Sequence, residues 1–443
     1  FGCGDMGKEA YDFIDFLKKA QQRIWQILPL TPTGYGNCPY SSSSAFAGNH
    51  YLISPEKLLE RNLLDAIDLE NPPPFPCDHV DFGWSIDYRM KLLHTAFTHF
   101  KTRFSGHTKR KQDYKKFCEA NHSWLEGYAL FMALKQKYNG SHWREWSHED
   151  QVCDAKTQKR YATELADAIN LHKFLQFEFS EQWHALRAYA NSQQVQVVGD
   201  IPIFVGYDSA DVWASKQAFQ LDADFNPTVV AGCPPDAFAT TGQRWGNPHY
   251  NWSFMQASNF AWWTARFKKQ FELYDIIRID HFRGFAAYWE IPASAPTAEE
   301  CYGAKWVYGY GNELFAALKQ AGAEAKIIAE DLGTITPDVE ELRKNNGLPG
   351  MKILQFGFES CDAGNSFLPA NFEPDCVVYT GTHDNDTTLG WYRATPDYIK
   401  TFLHQSIHAN NEVDVVWEMM RLGMESCAVL CITPLQDILA YGS

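Results

Sequence analysis

Four acidic residues, each set where a short apolar run stops, constrain this chain more than any other feature. Val195-Gln-Val-Val-Gly-Asp200, Asp275-Ile-Ile-Arg-Ile-Asp280, Lys326-Ile-Ile-Ala-Glu330 and the run 376–380, which reaches Asp384 four residues later, share this layout. Three more β-branched or apolar runs lie at 23–30, 351–356 and 427–432. Near-continuous apolar runs suit strands covered on both faces, as in a parallel sheet. Amphipathic helical patterns fall at 8–22, 312–320 and 337–344, the last opening on Pro337. Strand and helix in alternation predict βα units closed into a (β/α)8 barrel, an α/β TIM barrel with helical insertions. Seven of its strands are visible, and the first strand in order is expected upstream of Phe1.

Two insertions interrupt the alternation. Residues 54–190 are rich in charge, His and Trp and mostly helical in pattern, as in the stretch 123–135. They predict a helical insertion subdomain, leaving 1–53 and 191–443 as the catalytic barrel. A second insertion, about 206–274, carries the Gly-Pro-aromatic segment 231–238. The run Lys109-Arg-Lys111, with Lys115 and Lys116, reads as a solvated face, as does the segment holding His142, Trp143 and His148. Gly309-Tyr-Gly311 lacks a following Gly-Lys-Ser/Thr and so is not a phosphate loop.

Composition excludes several classes. Of 443 residues 39 are Lys or Arg and 54 Asp or Glu, a net charge of −15. A chain this acidic is not suited to wrapping nucleic acid or coating an anionic membrane. No run of 18 apolar residues is present to span a bilayer. The eleven cysteines contain no Cys-x-x-Cys pair, which points to reduced thiols in a cytoplasm and away from a disulfide framework or structural zinc. No spacing calls for a metal or an organic cofactor.

In a parallel barrel the loops at the carboxyl ends of the strands build the site, so the four strand-end acids are expected on one rim. Clustered carboxylates are costly unless paired, protonated or used in chemistry. Paired carboxylates acting on an oxocarbenium-like transition state are the means of glycoside cleavage.

The segments 275–284, Ala329-Glu-Asp-Leu-Gly333 and 379–391 resemble the signature segments of glycoside hydrolase family 77, the 4-α-glucanotransferases called amylomaltases or disproportionating enzymes. The resemblance runs from Thr33-Gly-Tyr-Gly36 and 44–49 to Pro434-Leu-Gln-Asp-Ile438. It is most specific at Pro234-Pro-Asp-Ala-Phe238, 242–248 and 347–352, and sparse over the helical insertion. It implies Asp280 as nucleophile, Glu330 as general acid/base and Asp384 as transition-state stabiliser. It also implies sugar contacts or support from Tyr51, Asp200, Asp236, Trp245, Tyr250, Arg278, His281 and His383. Arg278, two residues before Asp280 on the same strand face, is placed to pair with a neighbouring carboxylate. The implied reaction is retaining, with the two key carboxyl groups ~5–5.5 Å apart. The loop 242–250 is expected to exclude water and stack an acceptor sugar through Trp245 and Tyr250.

The implied substrates are maltooligosaccharides and α-1,4-glucans, the state monomer or homodimer, and the address cytoplasmic, or plastid if a transit peptide lies upstream. The family's leading strand with its Thr-Ser-Leu-Pro turn and its closing Arg-Met-Asn-x-Pro-Gly-like stretch are expected beyond the ends of this chain. Asn37-Cys38, His50 and Ala370 depart from the usual Asp-Ser, Pro and His. Two other readings are an α-1,4-glucan hydrolase of the amylase type and an inactive glucan-binding protein. The segments 234–238 and 242–248 argue against the first, and the presence of all three acids against the second.

Overall fold

The structure is a computed structural model that describes residues 1–104, 108–235, 239–298, 302–323 and 326–442. Its strands are β1 (Ile24–Gln26), β2 (Gln196–Pro202), β3 (Val229–Cys233), β4 (Gln243–Pro248), β5 (Ile276–Asp280), β6 (Ala287–Pro292), β7 (Lys305–Tyr308), β8 (Lys326–Ala329), β9 (Gly350–Ile353), β10 (Cys376–Tyr379) and β11 (Leu430–Ile432). Each of the seven apolar runs contains a strand, although the run at 351–356 turns helical from Leu354 onward. The three helical patterns are the helices Lys8–Lys19, Gly311–Gln320 and Pro337–Asn345. The chain divides into two compact units, Phe1–Ile276 with Tyr288–Glu324, and Ile277–Ala287 with Ala325–Ser443.

In the first unit β1 and β2 pair in parallel, Trp25 opposite Val197. Val197 and Val198 are fully buried, as a strand covered on both faces requires. The expected insertion is helical, and its last helix, Ala166–Ser192, is 27 residues long. That helix packs on β2, on Lys8–Lys19 and on the insertion helices Phe82–Arg103, Lys109–Ala120 and His122–Lys137. Residues 54–190 lie in the same compact unit as the first strands. Glu178, buried midway along the helix, is paired with Arg61 at 3.1 Å and with Arg110. The basic run at 109–111 is thus only partly solvated: Arg110 turns inward to neutralise a buried carboxylate that would otherwise be costly. Trp143 is also inside, its indole N–H donated to the Tyr207 carbonyl at 2.8 Å.

Four strands of this unit form a separate sheet in the order β4-β3-β6-β7, in which β3 runs antiparallel to both β4 and β6. A bulge falls between Val230 and Gly232. A Cβ on Gly232 would lie 2.1 Å from the Gln243 carbonyl oxygen, so only glycine lets β4 approach there.

In the second unit β5 and β8 are neighbours. A separate three-stranded sheet of this unit runs in the order β9-β10-β11, with β10 parallel to both others. The Ala329 N–H donates to the Pro349 carbonyl at 2.9 Å, joining β8 to the start of β9. Leu354, Phe358, Leu403, Val415 and Met419 pack beside Cys376 and Val378 of β10 into one apolar cluster. Helices follow the strands here, which sets successive strand ends side by side.

Candidate active site

Three strand ends of the second unit carry the three expected acids. Asp280 is the last residue of β5, Glu330 follows β8 by one residue, and Asp384 lies five residues past β10. The backbones of the first two are tied together: Glu330 N–H donates to the Ile279 carbonyl at 3.0 Å, and Phe282 N–H to the Glu330 carbonyl at 3.1 Å.

Between them, His281 has φ +52°, in the left-handed region. An L-residue enters that region at a cost of about 1 kcal/mol, and such residues gather at functional sites. The turn aims the His281 N–H at Glu330 Oε2, 2.7 Å away. Leu332 N–H meets the other oxygen, Oε1, at 2.8 Å. The carboxyl of Glu330 is thereby held by two main-chain donors from two strand ends.

The electrostatics separate the acids. Burial pushes the Glu330 carboxyl above its ordinary range. The Arg278 charge and the two N–H donors pull it back, and the Asp384 charge adds to the rise. Burial dominates because taking the charged form out of water costs more than these partners return. Asp280 is instead paired with Arg278, Nη1 to Oδ1 at 3.2 Å. The Arg278 side chain is 2% exposed, against 29% for Asp280. The buried guanidinium thus faces the neighbouring carboxylate, the pairing that the i, i+2 spacing on one strand face leads one to expect. Asp384 is 56% exposed, its carboxylate 3.6 Å from His383 Nε2. A carboxyl shifted upward by burial, an ion-paired carboxylate and a solvent-facing one can divide acid, nucleophile and stabiliser roles.

The other expected residues lie in the first unit. Asp200, on β2, is buried and accepts the Tyr40 hydroxyl at 2.7 Å. Tyr51 is partly buried against His50, ring centres 4.2 Å apart. Trp245 is 37% exposed, its indole N–H donated to Gln243 Oε1 at 2.9 Å. Tyr250 is a correction. It is 0% exposed, its hydroxyl donates to the Ile203 carbonyl at 2.8 Å, and Phe219, Trp262 and Trp263 surround it. A ring sealed among other rings stacks no sugar. Asp236 lies outside the described residues.

Sequence reasoning missed two acids. Asp331 accepts the Met351 N–H at 2.7 Å and pairs with Arg343 at 3.2 Å, and burial pushes it up to about 6. Its signal was the doublet Glu330-Asp331. Asp437, within Pro434-Leu-Gln-Asp-Ile438, is 1% exposed. Among the described residues one group, Asp65, Asp68 and His99, has atoms close enough to share a cation. Those atoms are already engaged, Asp65 with Arg103 and Asp68 with the Asp65 N–H. Also among the described residues, ten cysteines are free and no helix is long and apolar enough to cross a membrane.

A family model described as 4-alpha-glucanotransferase, glycoside hydrolase family 77, matches residues 1–443. A 4-alpha-glucanotransferase of Thermus thermophilus is 47% identical over 450 residues, covering 100% of this chain and 88% of its own. One from Synechocystis is 45% identical over 448 residues, covering 100% and 87%. The solved amylomaltase from Streptococcus agalactiae in complex with acarbose superposes with a TM-score of 0.94 at 35% identity, covering 100% of this chain and 88% of that one. The amylomaltase from Corynebacterium glutamicum shares the fold, at TM-score 0.76 and 16% identity over 98% and 65%. The fold is accordingly α/β of the TIM-barrel class.

Proposed function

The chain belongs to glycoside hydrolase family 77, the 4-alpha-glucanotransferases, and on that premise we propose how its residues move a glucan. The activity is transfer of α-1,4-glucan segments between maltooligosaccharides. Asp280, ionised beside Arg278, attacks the anomeric carbon of the donor. Glu330 gives its proton to the departing glycosidic oxygen, and the donor's reducing-end fragment leaves. A glucosyl ester on Asp280 remains. The 4-hydroxyl of an acceptor chain then loses its proton to Glu330 and attacks that ester, restoring both carboxyl groups. Asp384 faces the charge that builds on the sugar ring as it flattens, and His281 and His383 offer donors to sugar hydroxyls.

The observation that carries this assignment is the Glu330 carboxyl, pushed up by burial and held by the N–H of the residue next to Asp280. An acid shifted toward its protonated form beside an ion-paired carboxylate suits a retaining double displacement. Tyr51, Asp236 and Trp245 are assigned to sugar contacts by the family pattern, and Asp200 to their support. The free cysteines suit a compartment that keeps thiols reduced, a cytoplasm or a plastid.

Maltotriose tests the activity. Transfer yields glucose and a ladder of longer chains, whereas release of glucose and maltose alone would make the chain a hydrolase. Asp280→Asn is expected to abolish the ladder, and full reshuffling by that variant would overturn the assignment of the nucleophile.

A further inference from the structure

Asp384 is the most exposed of the three acids, and among the described residues its carboxylate has one ion-pair neighbour, His383, at 3.6 Å. Its aim therefore rests on the backbone of the loop 381–387. Inside that loop Asn385 Oδ1 accepts both the N–H and the hydroxyl of Thr382 at 2.9 Å, and Asp384 N–H reaches Thr382 Oγ1 at 3.2 Å. These bonds shape the loop but anchor it to nothing else. Anchorage comes from outside. Gln355 Nε2 donates to the Asp386 carbonyl at 2.9 Å.

Asp437 holds both ends of the loop. Its Oδ2 accepts the hydroxyl of Thr380, just before the loop, at 2.6 Å, and that of Thr388, just after it, at 2.7 Å. Its Oδ1 accepts the Thr388 N–H at 2.7 Å. Thr380 and Thr388 are fully buried, as Asp437 nearly is. Hydrogen bonds to a carboxylate are shorter and stronger than neutral ones, and burial shields these from water.

We propose that Asp437 is a positioning residue for Asp384: one carboxylate clasps both shoulders of the 381–387 loop and so fixes where the Asp384 side chain meets the sugar. This rests on Asp384 acting as the transition-state stabiliser. Asp437 touches no reacting atom. Releasing one shoulder lets the loop shift by a fraction of an ångström to an ångström, and a misplacement of that size costs catalysis more than ground-state binding.

The experiment is a double-mutant cycle on the full chain, with kcat and KM for maltotriose transfer and the melting temperature measured for Asp437→Asn, Asp384→Asn and the pair. For Asp437→Asn, kcat is expected to fall at least about tenfold with KM within about threefold. In the Asp384→Asn background the further loss is expected to vanish, because there is no carboxylate left to aim. Should Asp437→Asn not fold, Thr380→Val, which removes one of the three donors, takes its place in the cycle. An unchanged kcat for the clasp variant, beside a strongly impaired Asp384→Asn, overturns the clasp alone. A loss that persists in full on top of Asp384→Asn also overturns it, since Asp437 would then act on the unit at large. Full activity of Asp384→Asn overturns the reading beneath it and the clasp together.

Discussion

Replacing Arg278 by Met keeps a long side chain in place and removes the charge that faces Asp280. At 3.2 Å and an effective dielectric of ~20, the pair attracts by about 5 kcal/mol. Asp280 keeps 29% of its side-chain surface in solvent, so water recovers part of that. A net loss of ~2–3 kcal/mol, roughly 30- to 150-fold in rate, is the expected cost. The pH profile carries the sharper test. The reaction needs Asp280 ionised and Glu330 protonated. Without Arg278 the ionised form of Asp280 loses its partner, so the acid limb moves to higher pH. Arg278 also holds the Glu330 carboxyl down, so without it that carboxyl keeps its proton longer and the alkaline limb moves up too. The whole bell is lowered and displaced toward alkaline pH, measured as kcat/KM for maltotriose between acid and alkaline buffers. Arg278→Lys, which keeps the charge without the planar fork, should shift the bell less. A bell that stays in place, or moves toward acid, would refute the assigned roles of all three residues.

Further outcomes follow from particular contacts. Tyr250→Ala empties a site sealed among rings and should destabilise the protein by ~3–5 kcal/mol in urea unfolding; a loss below about 1 kcal/mol would mean that the site collapses on itself. Trp245→Ala should leave the unfolding midpoint nearly unchanged and raise hydrolysis relative to transfer, and a constant ratio of free glucose to chain-lengthened product would remove Trp245 from the exclusion of water. In Glu178→Ala, Arg61 and Arg110 lose the buried carboxylate between them, with ~3–5 kcal/mol expected from the broken pair; wild-type stability would show that solvent reaches the two guanidinium groups. A Cβ at residue 350 would stand 2.3 Å from Asp331 Oδ2, so Gly350→Ala should break the Asp331–Met351 bond beside Glu330 and lower kcat, and a fully active variant would show that β8 and β9 can part there without moving the acid.

Much of the barrel was legible because its signal is local. A strand buried on both faces needs an apolar run, and Val197-Val198, Ile276-Ile277 and Val377-Val378 each announce one within a few residues. The acids at their ends were visible for the same reason, and Arg278 faces Asp280 because side chains two apart on a strand share a side. The sheet β4-β3-β6-β7 was not visible. Gln243–Pro248 alternates no apolar residues and is a strand only because β3 lies beside it.

By itself, then, the order of residues determined where the seven parallel strands lie, which acids stand at their ends and which family the motifs match. It did not determine that Trp245 is open while Tyr250, five residues on, is sealed. Nor did it show that the N–H of a left-handed His281 seats the carboxyl of Glu330, or that Asp437 reaches back across some fifty residues to two threonines. Periodicity along the chain encodes burial, because burial repeats with the pitch of the element. Contacts at hydrogen-bond distance between remote segments are set only when the whole core packs, and at this site they seat the carboxyl of Glu330 and clasp Asp437 to its two threonines.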